Sequence, residues 1–223
     1  MMYTWLELGI PIGYASRELT PETEVLPNIL SIHYGKNLWK EKSLPKDYSE
    51  ILNKWPLYFA PGYGHFDLKE LEEWVIALKS QGVEYFFFDH LHYMLEEPED
   101  HRAASKLAKE LKTLSKKLNV HIDLIIQPNK LMEGQKLSLN SIKGGSAIGQ
   151  AIDNMITLER IADQKNIVKI SLKAARHKLA TLGHIHMEYD PITTDLQEAI
   201  VVEEELKEQE PKYNNFLKNK VIK

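Results

Sequence analysis

Cysteine is absent from the 223-residue chain, which excludes disulfides and thiolate metal centres and is compatible with a reducing compartment. No apolar run reaches the about 20 residues that a membrane helix needs. Glu7 interrupts the apolar amino end and no basic region precedes it, so neither a span nor a signal peptide is expected, and the reading is a cytoplasmic protein. A basic excess is lacking too: 28 Lys and Arg stand against 32 Asp and Glu, a net charge of -4. That disfavours a generally basic nucleic-acid binder and leaves room for a local basic loop. The sequence has no internal repeat and no long low-complexity segment. What is present, 43% hydrophobic residues, is ample for the core of one α/β domain with appendages.

The most informative stretch is Glu84-Tyr85-Phe86-Phe87-Phe88-Asp89-His90-Leu91-His92. An aromatic run bounded by Gly82 and by polar residues predicts a strand buried on both faces, as central strands of parallel sheets are. Asp89 stands at its carboxyl end. Ligand crevices of open α/β sheets lie outside the carboxyl ends of strands, so a carboxylate there is placed to hold Mg²⁺ directly or through water, the Walker B pattern.

Along the chain, Met1 to Leu8 reads as the end of a helix. Leu8 to Ala15 reads as a buried strand presenting Ser16 and Glu18 at its end. Thr20-Pro21-Glu22 predicts a helix start with Thr as N-cap and Pro at the first position. Residues 28–55 read as weakly periodic helix, Leu57 to Ala60 as a short strand, and Asp67 with Glu70 as a capping-box start of a helix through Lys79. Ala103 to Leu118 is an amphipathic helix with Leu107, Leu111, Leu114 and Leu118 inward and lysines outward. Val120 to Ile126 reads as a strand ending at Gln127-Pro128-Asn129-Lys130, followed by a polar loop from Leu131 to Lys143. A short helix is expected over 147–152, and strands over 154–158, 167–172 and 183–189. Strands alternating with helices, with polar groups at successive strand ends, predict a doubly wound α/β architecture.

Five segments in this order carry a resemblance: Gly13-Tyr14-Ala15-Ser16-Arg17-Glu18, Pro56-Leu57-Tyr58-Phe59, Phe86 to Leu91, His121 to Lys130, and Gly145 to Arg160. Together they resemble the RecA-like motor of DnaB-like replicative ring helicases, including phage primase-helicases and Twinkle. The resemblance covers roughly residues 1–190, with 191–223 as a charged carboxy-terminal extension. It implies a RecA-like P-loop NTPase core with a mostly parallel central sheet and flanking helices, using ATP and Mg²⁺. The implied catalytic groups are Glu18, polarising the attacking water, Asp89 on the Mg²⁺ side, Gln127 as sensor of the γ-phosphate, and Arg176 as a finger reaching into the neighbouring subunit's ATP. Ser16, Asp89, Gln127, Lys173 and Lys178 are implied nucleotide-binding residues. Lys130, Lys136, Lys143, Gly144 and Gly145 would face single-stranded DNA in the channel of a ring, hexameric by analogy, with a primase as a further partner.

Two departures qualify the resemblance. The family's Lys-x-Arg pair is here Lys173-Ala174-Ala175-Arg176, one residue longer, so the partner lysine is Lys173 or Lys178. No Gly-Lys-Ser/Thr string closes a Gly-rich phosphate loop anywhere in the sequence. The expectation is a fragment whose core lacks its amino-terminal part through a split gene, a late start or truncation, or a core that has lost the Walker A element. Two other readings follow: a non-catalytic RecA-like remnant that assembles or binds DNA, and a metal-dependent hydrolase using His90-x-His92 or His184-x-His186.

Overall fold

The computed structural model describes residues 1–199 except 17, 42–43, 62–67, 96, 98–99, 129–136, 139–140, 143–144, 162–163 and 177–179, and gives only the backbone at 101 and 145–147. Its strands are β1 (Ile12–Ser16), β2 (Leu57–Phe59), β3 (Tyr85–Asp89), β4 (His121–Leu124), β5 (Asn154–Ile161), β6 (Gln164–Ala175), β7 (Gly183–Tyr189) and β8 (Leu196–Glu198). The helices are α1 (Met2–Glu7), α2 (Leu26–Tyr34), α3 (Leu38–Glu41), α4 (Tyr48–Lys54), α5 (Leu68–Ser80), α6 (His101–Leu118) and α7 (Gly145–Ala151).

β1 to β4 form one parallel sheet in the order β2-β1-β3-β4, and β5 to β8 form a second, antiparallel sheet in sequence order. Uniform strand and helix alternation therefore holds only for the first half. Parallel neighbours need crossovers of a dozen or more residues, whereas the short links after β5 allow direct antiparallel return. The expected helix over 28–55 is split into α2, α3 and α4, because Gly35 adopts a left-handed conformation at φ 64° and closes α2. Thr20 makes no side-chain cap. Its own amide instead donates to Glu24 Oε2 at 2.6 Å, over a π turn spanning Pro21–Val25. The predicted capping residue Asp67 lies outside the described residues.

The aromatic run behaves as its two-sided burial predicts. Phe86 and Phe88 enter a core built with Leu71, Val75 and Leu78 of α5 and Leu107, Leu111 and Leu114 of α6. Phe87 points to the other face, where Ile12, Leu30, Val25 and Trp55 pack. α6 is anchored by Asp100, which accepts hydrogen bonds from the amides of Arg102 and Ala103 at 2.8 and 3.0 Å.

Gly13 of β1 lies beneath this packing. A Cβ there would come within 2.6 Å of the Phe86 ring and 3.1 Å of Trp74, which itself meets Phe86 edge-on. Phe86 is completely buried, so Phe86→Ala is expected to cost about 3–5 kcal/mol. Gly13→Ala is expected to destabilise the parent but to add little to Phe86→Ala, since the vacated ring space takes the methyl. Urea unfolding of the four proteins checks this; a Phe86→Ala cost below about 1 kcal/mol would remove Phe86 as the sheet's anchor.

Candidate functional site

Parallel register places Ser16 directly opposite Asp89. Their strands end together, and the chain leaves β1 through a turn fixed by Ser16. The Ser16 hydroxyl accepts the Glu18 amide at 3.2 Å and the Leu19 amide at 2.9 Å. This local side-chain turn directs Glu18 back over the end of β3. Glu18 Oε2 lies 3.2 Å from Nε2 of His90, which is buried at 3% exposure. The approach is out of line for a hydrogen bond, and both His90 ring nitrogens lack a hydrogen-bond partner among the described residues.

Tyr14, two residues before Ser16 on the same strand, donates its hydroxyl to Asp89 Oδ2 at 2.9 Å. Burial first, and then the adjacent Asp89 carboxylate, push the Tyr14 phenol far above its ordinary range. It therefore stays protonated and remains a donor. Asp89 is thus fixed through one oxygen; its other oxygen accepts no hydrogen bond among the described residues. Tyr14, Ser16, Glu18, Phe59, Ala60 and Pro61 line a cleft of about 210 Å³ at the ends of β1 and β2. That is below the roughly 300–1,000 Å³ usual for a complete small-molecule site.

Gln127 is exposed three residues beyond β4. The Ile125 amide donates to the Phe88 carbonyl at 2.9 Å and the Leu91 amide to the Ile125 carbonyl at 3.0 Å, which keeps the chain beside β3 on the carboxyl edge. At the opposite end of β4, His121 lies 3.2 Å from Asp123 Oδ1. The hydrogen bond to Asp123 raises the imidazole above its usual range against partial burial, and Asp153 adds to the rise.

The remaining groups sit in the second sheet. Lys173 of β6 pairs with Glu159 Oε2 across the ladder at 3.6 Å. Arg176 follows β6, with Nη2 donating to the Gln150 carbonyl at 2.6 Å and Nη1 3.9 Å from Asp153 Oδ1. Gly145 opens α7, while Lys130, Lys136, Lys143, Gly144 and Lys178 lie outside the described residues. The fold thus brings Ser16, Glu18 and Asp89 together and puts Gln127 on the same edge.

Tyr14 and the proximity of His90 to Glu18 went unread in the sequence. The period-two offset of Tyr14 from Ser16 was a usable signal, because both then share a face of β1. The His-based alternative gains little: the His90–His92 and His184–His186 rings are 6.0 and 5.2 Å apart, and no group of three or more His, Asp or Glu suited to a metal occurs among the described residues. None of the described helices is long and apolar enough to cross a membrane.

At the level of sequence, no family profile matches the chain and no curated protein aligns with it. Solved structures do match in three dimensions. A DnaB-like replicative helicase, solved to show its interactions with primase, superposes with a TM-score of 0.70 at 13% identity, over 87% of this chain and 52% of that one. A second solved structure, itself an ATPase domain, gives 0.72 at 12% identity, over 89% of this chain and 78% of that domain. The chain spans about half the length of the first of these. Its α/β fold, with a four-stranded parallel sheet and flanking helices, is the RecA-like fold of DnaB-like helicase ATPase domains.

Proposed function

We propose that the chain is the carboxylate-bearing part of an ATP-dependent DNA helicase motor that works as a ring. The observation that carries this reading is the convergence of Glu18 and Asp89 at the carboxyl edge of adjacent parallel strands, each oriented by neighbours. ATP with Mg²⁺ supplies the transferable phosphoryl group and neutralises its developing charge. Asp89 presents the oxygen that Tyr14 leaves to a hydrated cation, a donor set that suits Mg²⁺, which usually keeps several waters and takes one or two carboxylates. Glu18 accepts the hydrogen bond of the attacking water, and Gln127 donates its amide to a phosphate oxygen. The described residues fit this carboxylate half of the site; they offer no Gly-rich phosphate cradle.

In the same reading Arg176 acts on the neighbouring subunit, aided by Lys173 or Lys178, and Ser16 holds the turn that aims Glu18. Lys130, Lys136, Lys143, Gly144 and Gly145 face single-stranded DNA in the channel. Residues 1–190 make the motor, and 191–223 extend it. The partners are further copies of the chain in a hexameric ring, a primase and a polypeptide carrying the phosphate loop, all in the cytoplasm.

The test is to fuse a strand, a Gly-x-x-x-x-Gly-Lys-Thr loop and a helix ahead of Met1 and to measure phosphate release. Mg²⁺-dependent hydrolysis stimulated by single-stranded DNA is the expected result. The small cleft and the engagement of Arg176 with its own chain favour a second reading, a non-catalytic form that assembles or binds DNA. A fusion that binds ATP and DNA yet releases no phosphate decides for it.

A further inference from the structure

Tyr14 reaches Asp89 from a place that the fold holds still. It lies in β1, which is hydrogen-bonded to β2 on one side and β3 on the other, and its carbonyl accepts the Ala60 amide at 2.9 Å. Its ring meets Phe59 edge-on, with 5.8 Å between centroids, and the residue is buried in the core that contains Ile12 and Phe87. A ring packed on its edge and its face in this way keeps its hydroxyl in one place. Register sets Tyr14 opposite Phe87 and Ser16 opposite Asp89, so the phenol spans two residues along the sheet to reach the carboxylate.

The two oxygens of Asp89 are thereby made unequal. Oδ2 accepts the Tyr14 hydroxyl at 2.9 Å, and the other oxygen accepts no hydrogen bond among the described residues. A carboxylate can bind a cation through one oxygen or chelate it through both, and divalent cations differ in which they take. Ca²⁺ accepts about six to eight oxygens in flexible geometry, with carboxylates in either mode, whereas Mg²⁺ demands a near-ideal octahedron and keeps several waters. The narrow bite of a chelating carboxylate suits the first ion and strains the second.

We propose that Tyr14 sets the cation preference of this site: by holding Asp89 Oδ2 it bars chelation through both carboxylate oxygens and so disfavours Ca²⁺ relative to Mg²⁺. Tyr14 acts on the cation only through Asp89 and is a positioning residue. Chelation requires the Tyr14 hydrogen bond to break, and a hydrogen bond to a charged group is worth on the order of tenfold or more in an equilibrium. That the cation is the one accompanying ATP rests on the function proposed above; the restriction on Asp89 rests on the placement of Tyr14.

The test follows the backbone amides of Ser16 and Asp89 by NMR in the full chain, titrated with magnesium chloride or calcium chloride at constant ionic strength, to give a dissociation constant for each ion at this site. The parent is compared with Tyr14→Phe, Asp89→Asn and the double variant. Tyr14→Phe keeps the ring against Phe59 and removes only the hydroxyl. It is expected to tighten Ca²⁺ binding about tenfold and to change Mg²⁺ binding less than about twofold, moving the ratio of the two constants toward Ca²⁺. A hydroxyl with a merely structural role would leave that ratio where it was. In the Asp89→Asn background the same substitution is expected to change nothing, because the two residues act as a unit. Tyr14→Met, a flexible apolar side chain that also lacks the hydroxyl, is expected to shift the ratio in the same direction and carries the test should Tyr14→Phe not fold. A ratio within about twofold of the parent in a folded variant overturns the proposal, as does a shift that persists in Asp89→Asn. If the loop-restored fusion nevertheless hydrolyses ATP, that failure belongs to this inference alone. No response to either ion at Ser16 and Asp89 in any of the proteins overturns the proposal together with the part given to Asp89 in the proposed function. A shifted ratio in a chain whose loop-restored fusion releases no phosphate upholds the role of Tyr14 and removes the motor reading.

Discussion

Glu18→Gln in the chain with its phosphate loop restored is expected to lower the turnover of ATP hydrolysis by about 10²–10⁴-fold, the usual worth of a positioned proton acceptor. Gln keeps the length and the hydrogen-bonding reach of Glu, so the turn held by Ser16 and the packing of His90 persist. What is lost is the negative oxygen 3.2 Å from His90 Nε2, the group that in the proposed function polarises the attacking water. Nucleotide affinity should change little, because in the proposed function Glu18 acts on the attacking water and not on the phosphates. Asp89→Asn is expected to behave differently. It retains an acceptor for the Tyr14 hydroxyl but removes the charge proposed to hold a divalent cation, so the Mg²⁺ concentration for half-maximal rate should rise along with the loss of turnover. Steady-state rates titrated with Mg²⁺ separate the two. Turnover within about twofold of the parent in Glu18→Gln would take that residue out of the mechanism.

The second large effect concerns Arg176. A guanidinium supplied across a subunit interface to a transferring phosphoryl group is worth about 10³–10⁵ in rate. In the isolated chain this side chain is bound to the Gln150 carbonyl and lies close to Asp153, at 37% exposure. Reaching a neighbour's site requires it to exchange those partners on assembly. Arg176→Ala in the loop-restored protein is therefore expected to abolish hydrolysis while leaving assembly intact. A mixture of Arg176→Ala and Glu18→Gln chains should recover part of the parent rate, since some mixed interfaces hold one intact Glu18 and one intact Arg176. Phosphate release measured across mixing ratios checks this. A mixture that assembles by sedimentation but stays inactive would confine Arg176 to holding α7 against β6, the role its present bonds describe.

The parallel half of the fold was largely legible because its signals are local. Phe86, Phe87 and Phe88 announce a strand buried on both sides, and the Leu107, Leu111 and Leu114 spacing announces the inward face of α6. The strand ends at Ser16 and Asp89 could be placed for the same reason. Their direct opposition, and the reach of Tyr14 to Asp89, depend on the register between strands distant in sequence, which no local pattern encodes. The strands of the second sheet were legible over 154–158, 167–172 and 183–189, but their antiparallel pairing was not. Only the cross-strand register shows that Ile156 and Leu158 face outward with Ile185. His90 could be seen as half of a metal pair, but its burial against Glu18 depends on the turn that ends β1, far away in sequence.

The split between a crossover-built sheet and a meander also sets the order of folding. The Tyr14–Asp89 bond joins residues 75 apart, so the parallel sheet must close long loops before its contacts stabilise it. Among the described residues, β5 to β8 pair only with strands consecutive in sequence and need no such closure. The meander is therefore expected to consolidate first although it follows the parallel sheet along the chain, and to do so with Ile156, Leu158 and Ile185 bare. During refolding, that early and uncovered face is where chains at high concentration would adhere to one another, and dilution should raise the yield of native protein more than slower removal of denaturant does.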